Sequence, residues 1–380
     1  MDALPPSLLR TPRFDQIAIT SVFGNPRELR TWSGAPANVA SALERCGVAV
    51  KEIQPKVSKA AKIGVAVRDL LAGRGRPVST EQVLRSLTMR RLLATQVADQ
   101  ARRLGVASVL HTGTLDLLPA ASRDIRHYLY CDHTWALAAR HHVHASRYTA
   151  RALQAFEDAE RQSLDGVDHV FTFGAYVRDN LIGHYGLSPD QVTAVGSGMG
   201  AIQAWHGAKD FSRPHLLFVA KHLFQAKGGV LLVEAFKLAR RKRRDLALTI
   251  VGDPRSRAFV PDVEGIEFRA HLPWDELQRL YREATLLVQP MLNDPWGQVY
   301  LEAMVSRTPV MGLARNGLPE LVDGGRHGFL VDRAEPAALA EAIVAALADP
   351  ARLGRMAEQA QQYVLATHTW DRVGERILFS

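Results

Sequence analysis

The chain has 380 residues, of which 47% are hydrophobic and 23% charged, an ordinary globular composition that excludes a largely disordered protein. A chain of this length predicts two domains. The net charge of +8 alone suggests nucleic acid binding, and since no matching motif or aromatic interleaving accompanies it, we expect no nucleic acid partner. Cys46 and Cys131 are too few for a disulfide framework or a cysteine-based metal site, which favours a reducing compartment.

The first residues, Met1 to Pro6, include an acid and two prolines where a secretion signal needs a basic start and an apolar run. No apolar stretch approaches the ~20 residues that a bilayer-spanning helix requires. We therefore expect a cytoplasmic protein.

In the first half of the chain, apolar β-type runs alternate with helical periods, which is typical of a parallel sheet wrapped by helices. We predict strands near residues 16–23, 48–53, 107–111, 127–131, 169–173 and 191–195. Residues 60–104 are almost entirely helical in pattern, with a break at Gly73 to Pro77, and predict a helical insertion. Residues 1–200 are thus predicted to form a Rossmann-like domain.

The segment from Gly196 to Pro214 is rich in Gly and Ser and lacks periodicity, so we place the domain boundary there. Beyond it the pattern predicts strands at 215–220, 247–252, 266–269, 284–289 and 308–313, and helices at 229–240, 274–283, 298–306 and after Pro336. Residues 201–366 then form a second Rossmann-like domain, and a final helix at about 367–380 packs back on the first. Ligands of open α/β sheets bind beyond the carboxyl ends of the strands, so we expect the two domains to face each other across a cleft.

Two acids, Asp294 and Glu302, stand eight positions apart across a loop-to-helix junction in the second domain. At 3.6 residues per turn, one carboxylate lies at the helix start and the other about two turns in. Such a pair of acceptors suits a polyol ligand. The alternative is two solvated acids that favour the helix dipole.

Two lysines, Lys221 and Lys227, flank a loop that follows a predicted strand. With the amides of Gly228 and Gly229 at the next helix start, the loop suits a diphosphate. The alternative is a solvated lysine pair on an ordinary loop.

Together these segments carry a family resemblance. Residues 218–229 (FVAKHLFQAKGG) resemble the phosphate-binding segment of the retaining group 1, family 4-like glycosyltransferases, which have the GT-B fold. Residues 293–320 resemble the donor motif of the same enzymes. Thr31 to Pro36 resembles their glycine loop, and His368 to Val373 their closing helix. The resemblance implies an α/β fold of two Rossmann-like domains, a nucleotide-diphosphate sugar as donor substrate, and neither a cofactor nor a metal.

The resemblance also implies roles for single residues. Glu302 accepts hydrogen bonds from both ribose hydroxyls, and Lys227 binds the diphosphate. Because the loop is one residue longer than usual, Lys221 or His222 takes the role of the second cation, and we choose Lys221. Asp294 stands where the family has a glutamate that holds sugar hydroxyls. Its shorter side chain is compatible with an altered donor sugar, a shifted loop or a weakened enzyme.

At the start of the helix that carries Glu302, backbone amides are expected to point at the sugar or phosphate, since the first N–H groups of a helix lack internal partners. The residues concerned are Trp296, Gly297, Gln298 and Val299.

In the first domain, the resemblance places the backbone of Ser33 and Gly34 near the transferred phosphate, although a Ser-Gly pair is also common in turns. The strand at 127–131 ends in Asp132 and His133, where relatives have a residue that touches the donor sugar or the acceptor. We choose Asp132 first and His133 second. The alternative for Asp132 is a helix cap.

Three histidines, His141, His142 and His144, suggest a metal site, but no acid or cysteine accompanies them at ligand spacing. We interpret them as solvated surface residues.

Lys56, Lys59 and Lys62 share a helix face opposite apolar residues that include Val67 and Leu71, and Arg74, Arg76, Arg90 and Arg91 follow. This cationic amphipathic pattern is typical of contact with an anionic membrane. A solvated lysine face on a helix packed against the sheet is the alternative that we favour.

The sequence therefore predicts a metal-independent retaining glycosyltransferase that moves a sugar from a nucleotide-diphosphate donor to a hydroxyl acceptor, a saccharide or lipid-linked saccharide. The alternative is a non-catalytic or weakly active sugar-nucleotide-binding protein of the same fold. An epimerase or a phosphorylase of this fold needs an acid-base pair or a pyridoxal-binding lysine, and we identify neither.

Overall fold

The computed structural model describes residues 12–71, 79–141, 148–200 and 202–380. The chain divides into two compact units, one of Met1–Gly198 with Trp370–Ser380 and one of Met199–Thr369. The predicted break at Gly73 to Pro77, with Arg74 and Arg76, lies outside the described residues.

The first unit is built on a six-stranded sheet in the order β2-β1-β3-β4-β5-β6. Every neighbouring pair is parallel. The central strands are buried on both faces, which is why they read as nearly continuous apolar runs. The strands are β1 (Gln16–Thr20), β2 (Ala49–Ile53), β3 (Ser108–Thr112), β4 (Arg126–Cys131), β5 (His169–Thr172) and β6 (Val192–Ala194).

Helices connect these strands, and three of them lie between β2 and β3 as the predicted insertion. The helices are α1 (Ala35–Arg45), α2 (Lys59–Leu71), α3 (Thr80–Arg85), α4 (Leu87–Leu104), α5 (Trp135–His141), α6 (Ala150–Leu164), α7 (Ala175–Gly183) and, from the end of the chain, α14 (Trp370–Phe379). Helix α14 packs closely on α1 at Gly374. A Cβ atom at this position would lie 2.9 Å from the Cβ of Ala42, so glycine allows the close approach. Arg45 and Asp371 form an ion pair between the same two helices.

The second unit contains another six-stranded sheet, in the order β12-β11-β10-β7-β8-β9. Its strands are also parallel. They are β7 (His215–Ala220), β8 (Ala247–Gly252), β9 (Ile266–Ala270), β10 (Leu286–Val288), β11 (Val310–Leu313) and β12 (Phe329–Val331). Strand β12 was not expected from the sequence, since its three residues are too few for a periodic pattern.

The helices of the second unit are α8 (Gly229–Lys242), α9 (Trp274–Glu283), α10 (Gln298–Val305), α11 (Leu318–Leu321), α12 (Pro336–Ala346) and α13 (Pro350–Thr367). The core joins the apolar face of α8, through Leu232 and Phe236, to β7 and to Leu339 of α12. The strand order reverses between β7 and β10, and ligands of such sheets bind beyond the strand ends at this point. The predicted α/β fold with two Rossmann-like units is confirmed. No helix among the described residues has both the length and the hydropathy that crossing a bilayer requires.

Candidate functional site

The loop between β7 and α8 is tied to the segment that follows β10. Leu292 and Asn293 donate their backbone N–H groups to the carbonyl oxygen of Ala226, at 2.8 and 2.9 Å. Gly228 has φ +84°, and a Cβ atom there would lie 2.0 Å from the carbonyl oxygen of Pro290. Only glycine fits this close approach. The ends of β7 and β10, which flank the point of reversal, are therefore joined by their loops.

This tight turn uses the two amides that the sequence assigned to a diphosphate. Gly228 donates to the carbonyl oxygen of Gln225 and Gly229 to that of Phe224, each at 2.9 Å. The prediction that these two N–H groups are free to bind an anion is therefore wrong. Helix α8 has no side-chain cap, so its first turn still presents unpaired backbone donors beyond Gly229.

The turn brings Lys227 and Asp294 into contact. The ammonium nitrogen of Lys227 lies 2.8 Å from Oδ2 of Asp294, and each side chain is only about one-fifth exposed, at 18% and 20%. The side-chain amide of Asn316 donates to the carbonyl oxygen of Asp294 at 3.1 Å, which holds this segment in place.

Glu302 lies in the second turn of α10 and is 7% exposed. The hydroxyl of Tyr281, on α9, donates to its Oε2 at 2.8 Å. The pKa of the Glu302 carboxyl is raised overall, because burial outweighs the other effects. The Tyr281 hydrogen bond and the charges of Lys221 and Lys227 act in the opposite direction and lower the pKa. Both lysines and Glu302 therefore belong to one electrostatic environment, at the carboxyl ends of the strands.

Two contacts of Glu302 were missed by the sequence analysis. Tyr281 belongs to a helix whose apolar pattern does not show which side chain meets an acid on another helix. Gly200 is the other, because a Cβ atom there would lie 2.5 Å from Oε1 of Glu302. The Gly-Ser-Gly-Met-Gly run at residues 196–200 is the sequence signal for this close contact, since closely spaced glycines allow a side chain to approach the backbone.

Helix α10 begins after a glycine. Gly297 has φ +82° and provides no side-chain cap to the first turn, which begins with Gln298 and Val299. The ring of Trp296 is buried at 4% exposure and packs against Gly317, where a Cβ atom would lie 2.4 Å from it. Trp296 therefore anchors the loop through its side chain.

The two candidates for the second cation lie in different surroundings. The ammonium nitrogen of Lys221 lies 3.8 Å from the centre of the Trp274 ring. Nδ1 of His222 lies 3.8 Å from Oδ2 of Asp253, which also pairs with Arg255. The charge of Lys221 lowers the pKa of the Glu302 carboxyl, and this placement favours Lys221 as the second cation.

In the first unit, the loop before α1 has an uncommon backbone. Trp32, Ser33 and Gly34 all have positive φ, at 44°, 54° and 82°. The ring of Trp32 packs on those of Tyr130 and Phe173, with centroids 6.0 and 5.2 Å away, which fixes the loop at the carboxyl ends of β4 and β5.

Asp132 and His133 follow β4 at this same edge, and both are half-buried. The hydroxyl of Tyr176 donates to the carbonyl oxygen of Asp132 at 2.7 Å. The side chain that caps α5 is Thr134, whose Oγ1 accepts from the N–H of Leu137 at 3.3 Å. The alternative in which Asp132 caps this helix is therefore wrong.

In the histidine run, His142 and His144 lie outside the described residues. Within the described ranges, no three histidine, cysteine or acidic side chains lie close enough together to hold a metal ion.

The chain is similar in sequence and in fold to known proteins. Residues 213–349 match the family model described as glycosyl transferases group 1. D-inositol 3-phosphate glycosyltransferase 1 of Catenulispora acidiphila is 29% identical over 344 residues, which cover 83% of this chain and 80% of that enzyme. Sucrose-phosphate synthase of Thermosynechococcus elongatus has a similar fold, with a TM-score of 0.73 at 18% identity over 96% of this chain and 97% of that one. The Anabaena protein HepE, solved with UDP-glucose, has a TM-score of 0.60 at 14% identity, covering 95% and 98% of the two chains.

The two Rossmann-like units have the GT-B fold, with lysines and a buried acid at the strand ends of the second unit. Within this fold, residues 213–349 carry the sequence similarity to the group 1 glycosyltransferases.

Proposed function

We propose that this protein is a retaining glycosyltransferase that moves a sugar from a nucleotide-diphosphate donor to a hydroxyl acceptor. The observation that supports this most strongly is the grouping of Lys227, Asp294 and Glu302 in one site of the second unit. The site combines cations for a diphosphate with acceptors for the hydroxyls of a ribose and a sugar.

In the proposed reaction, the bond between the anomeric carbon and the diphosphate oxygen breaks as the acceptor oxygen bonds to that carbon on the same face. The acceptor proton passes to the departing diphosphate, so no protein nucleophile is needed. Lys227 and Lys221 stabilise the negative charge that develops on the diphosphate. Electrostatic stabilisation of this kind is the largest single contribution to the rate enhancement of many enzymes.

The proposed reaction uses neither a cofactor nor a metal ion. The two lysines supply the positive charge that a bound divalent cation supplies in other transferases. We expect full turnover in the presence of a chelator, and loss of turnover that returns with Mg²⁺ or Mn²⁺ contradicts this part of the proposal.

The acceptor is proposed to be a saccharide or a lipid-linked saccharide. A phosphorylated polyol is included in the test, because the Catenulispora relative is named for an inositol phosphate. A thermal-shift screen against sugar nucleotides identifies the donor first, since a ligand that binds only the folded state raises its apparent stability. Transfer to an acceptor panel is then followed by NMR, and the α or β configuration of the product shows whether it is retained.

Binding of a sugar nucleotide without transfer or hydrolysis on any acceptor favours the alternative, a non-catalytic binding protein. Products of inverted configuration contradict the retaining mechanism.

We also propose peripheral contact with an anionic membrane, at the cytoplasmic face. On α2, Ile63, Val67, Leu70 and Leu71 are 66, 50, 52 and 83% exposed. The expectation that this apolar face packs on the sheet is wrong, since only Val65 and Asp69 of α2 are buried. Lys59, Lys62 and Arg68 lie on the same helix, and such a combination of cations and exposed apolar side chains suits anionic headgroups.

Co-sedimentation with vesicles of phosphatidylglycerol and phosphatidylcholine tests this contact. We expect binding that weakens with salt and with the variant Val67→Glu/Leu71→Glu. Equal recovery with and without the anionic lipid contradicts it.

A further inference from the structure

Helix α9 lies behind two of the residues that the proposed function assigns to the donor. It begins with Trp274, over whose ring the ammonium of Lys221 lies. Seven residues later it carries Tyr281, whose hydroxyl donates to the carboxylate of Glu302. Residues seven apart share one face of a helix. One rigid helix face therefore contacts a cation and an anion of the same site.

The contact between Lys221 and Trp274 is short for its kind. The distance of 3.8 Å from the ammonium nitrogen to the ring centre lies well inside the range over which a cation is attracted to an aromatic face. Trp274 is 48% exposed, and Lys221 is exposed as well. A lysine side chain in such a position samples many rotamers unless a partner restricts it.

The position over the ring is compatible with anion binding. The charge of Lys221 already acts on the Glu302 carboxyl from this position. An ammonium group has three N–H donors, and contact with one ring leaves donors for a phosphate oxygen.

We propose that Trp274 is a positioning residue that holds Lys221 ready for the diphosphate of the donor. The aromatic ring reduces the rotamer freedom that Lys221 loses on binding, and so increases the affinity for a diphosphate without contacting the ligand. This inference rests on the proposed function, because it assigns a part of the same site.

Isothermal titration calorimetry tests it with three pairs of nucleotides, UDP and UMP, GDP and GMP, and ADP and AMP. The proteins are the full-length wild type, Trp274→Phe, Trp274→Leu, Lys221→Met and the double variant Trp274→Leu/Lys221→Met. Phenylalanine keeps an aromatic face, whereas leucine keeps only the apolar contact. Because Trp274 is half exposed at a helix start, neither substitution is expected to affect folding, and circular dichroism checks this.

We expect Trp274→Leu to lower the affinity for the preferred diphosphate about twofold to fivefold, the range of an exposed cation–π contact. The affinity for the matching monophosphate stays unchanged, Trp274→Phe restores most of the loss, and Trp274→Leu has no further effect once Lys221 is methionine.

Other results overturn the inference. An equal loss for monophosphate and diphosphate shows that Trp274 contacts the nucleoside, and a gain in diphosphate affinity shows that the ring withholds Lys221. If the wild type binds none of the three diphosphates, the proposed function itself fails, which is a different outcome from any change among the variants.

Discussion

The ammonium of Lys227 and the carboxylate of Asp294 form an ion pair of 2.8 Å, so a cation and an anion of the same site are paired with each other. Both side chains are about four-fifths buried, at 18% and 20% exposure, so solvent screens the pair less than it screens a surface ion pair. A diphosphate that binds Lys227 has to share it with Asp294 or displace that carboxylate.

Replacing Lys227 by alanine is expected to lower turnover tenfold or more, because charge stabilisation of the departing diphosphate is lost. Steady-state kinetics with the identified donor measures this. Lys237→Ala is the matched control, since Lys237 lies further along the same loop-and-helix segment and pairs with Glu234 at the surface. Turnover of Lys227→Ala at the wild-type level contradicts the assignment.

Replacing Asp294 by asparagine has opposite effects on two measurements. The affinity for a free nucleoside diphosphate rises, by about threefold or more, because the Asp294 carboxylate no longer competes with the diphosphate for Lys227. Sugar transfer falls, because the acceptor for the sugar hydroxyls is weakened. Asp245→Asn, which removes a surface pair with Arg243, is the control for calorimetry and kinetics. A parallel loss of diphosphate affinity and transfer would mean that Asp294 supports the phosphate subsite instead of opposing it.

Glu302 is expected to distinguish ribose from 2′-deoxyribose. A carboxylate that accepts from both ribose hydroxyls gives the wild type at least about a tenfold preference for the ribonucleotide, the scale of a charged hydrogen bond. Glu302→Gln has the same shape without the charge, and we expect most of the preference to disappear. Calorimetry with a diphosphate and its 2′-deoxy form measures the ratio, with Glu267→Gln, from a surface pair with Arg269, as control. An unchanged ratio places the ribose elsewhere.

Acid is expected to destabilise the first unit through buried histidines. Burial lowers the pKa of His127 and of His169 from 6.5 to about 4. Between these pH values the unfolded chain binds more protons than the folded one, so stability falls as the pH falls from about 6.5 to about 4.

His169→Gln removes one of the two titrating imidazoles. The glutamine keeps a hydrogen-bond partner for the hydroxyl of Thr193, which lies 2.8 Å from Nε2 of His169. Its loss of stability over this range should be smaller by on the order of 2 kcal/mol. Urea unfolding between pH about 7 and about 4.5 measures the difference. If the free energy of unfolding falls by the same amount over this pH range in the variant and the wild type, His169 is not a source of the acid sensitivity.

The fold followed from patterns that act locally. His215 to Ala220 is an apolar run between a proline and a lysine, and it forms β7 with the predicted bounds. The loop that carries Lys227 and the two acids could likewise be located, because their residue types are characteristic at this spacing. Strand β12 could not, since Phe329, Leu330 and Val331 pair only because β11 offers an edge.

The parts of the site that sequence did not reveal depend on tertiary contacts. The backbone N–H groups of Gly228 and Gly229 are hydrogen-bonded within the turn, because the carbonyl groups of Gln225 and Phe224 lie close to them. Tyr281 meets Glu302 only because α9 packs beside α10, and Trp274 contacts Lys221 because α9 also packs beside β7. Periodicity gives the buried face of a helix but not the polar partner that its side chains meet.

The most direct test of the central claim is a crystal structure of the protein with the nucleoside diphosphate that binds it best. We predict one molecule whose phosphate oxygens lie within hydrogen-bond distance of the Lys227 ammonium, roughly 3 Å, and whose two ribose hydroxyls donate to the Glu302 carboxylate. A nucleotide that contacts only one of these residues, or binds away from both, contradicts the account.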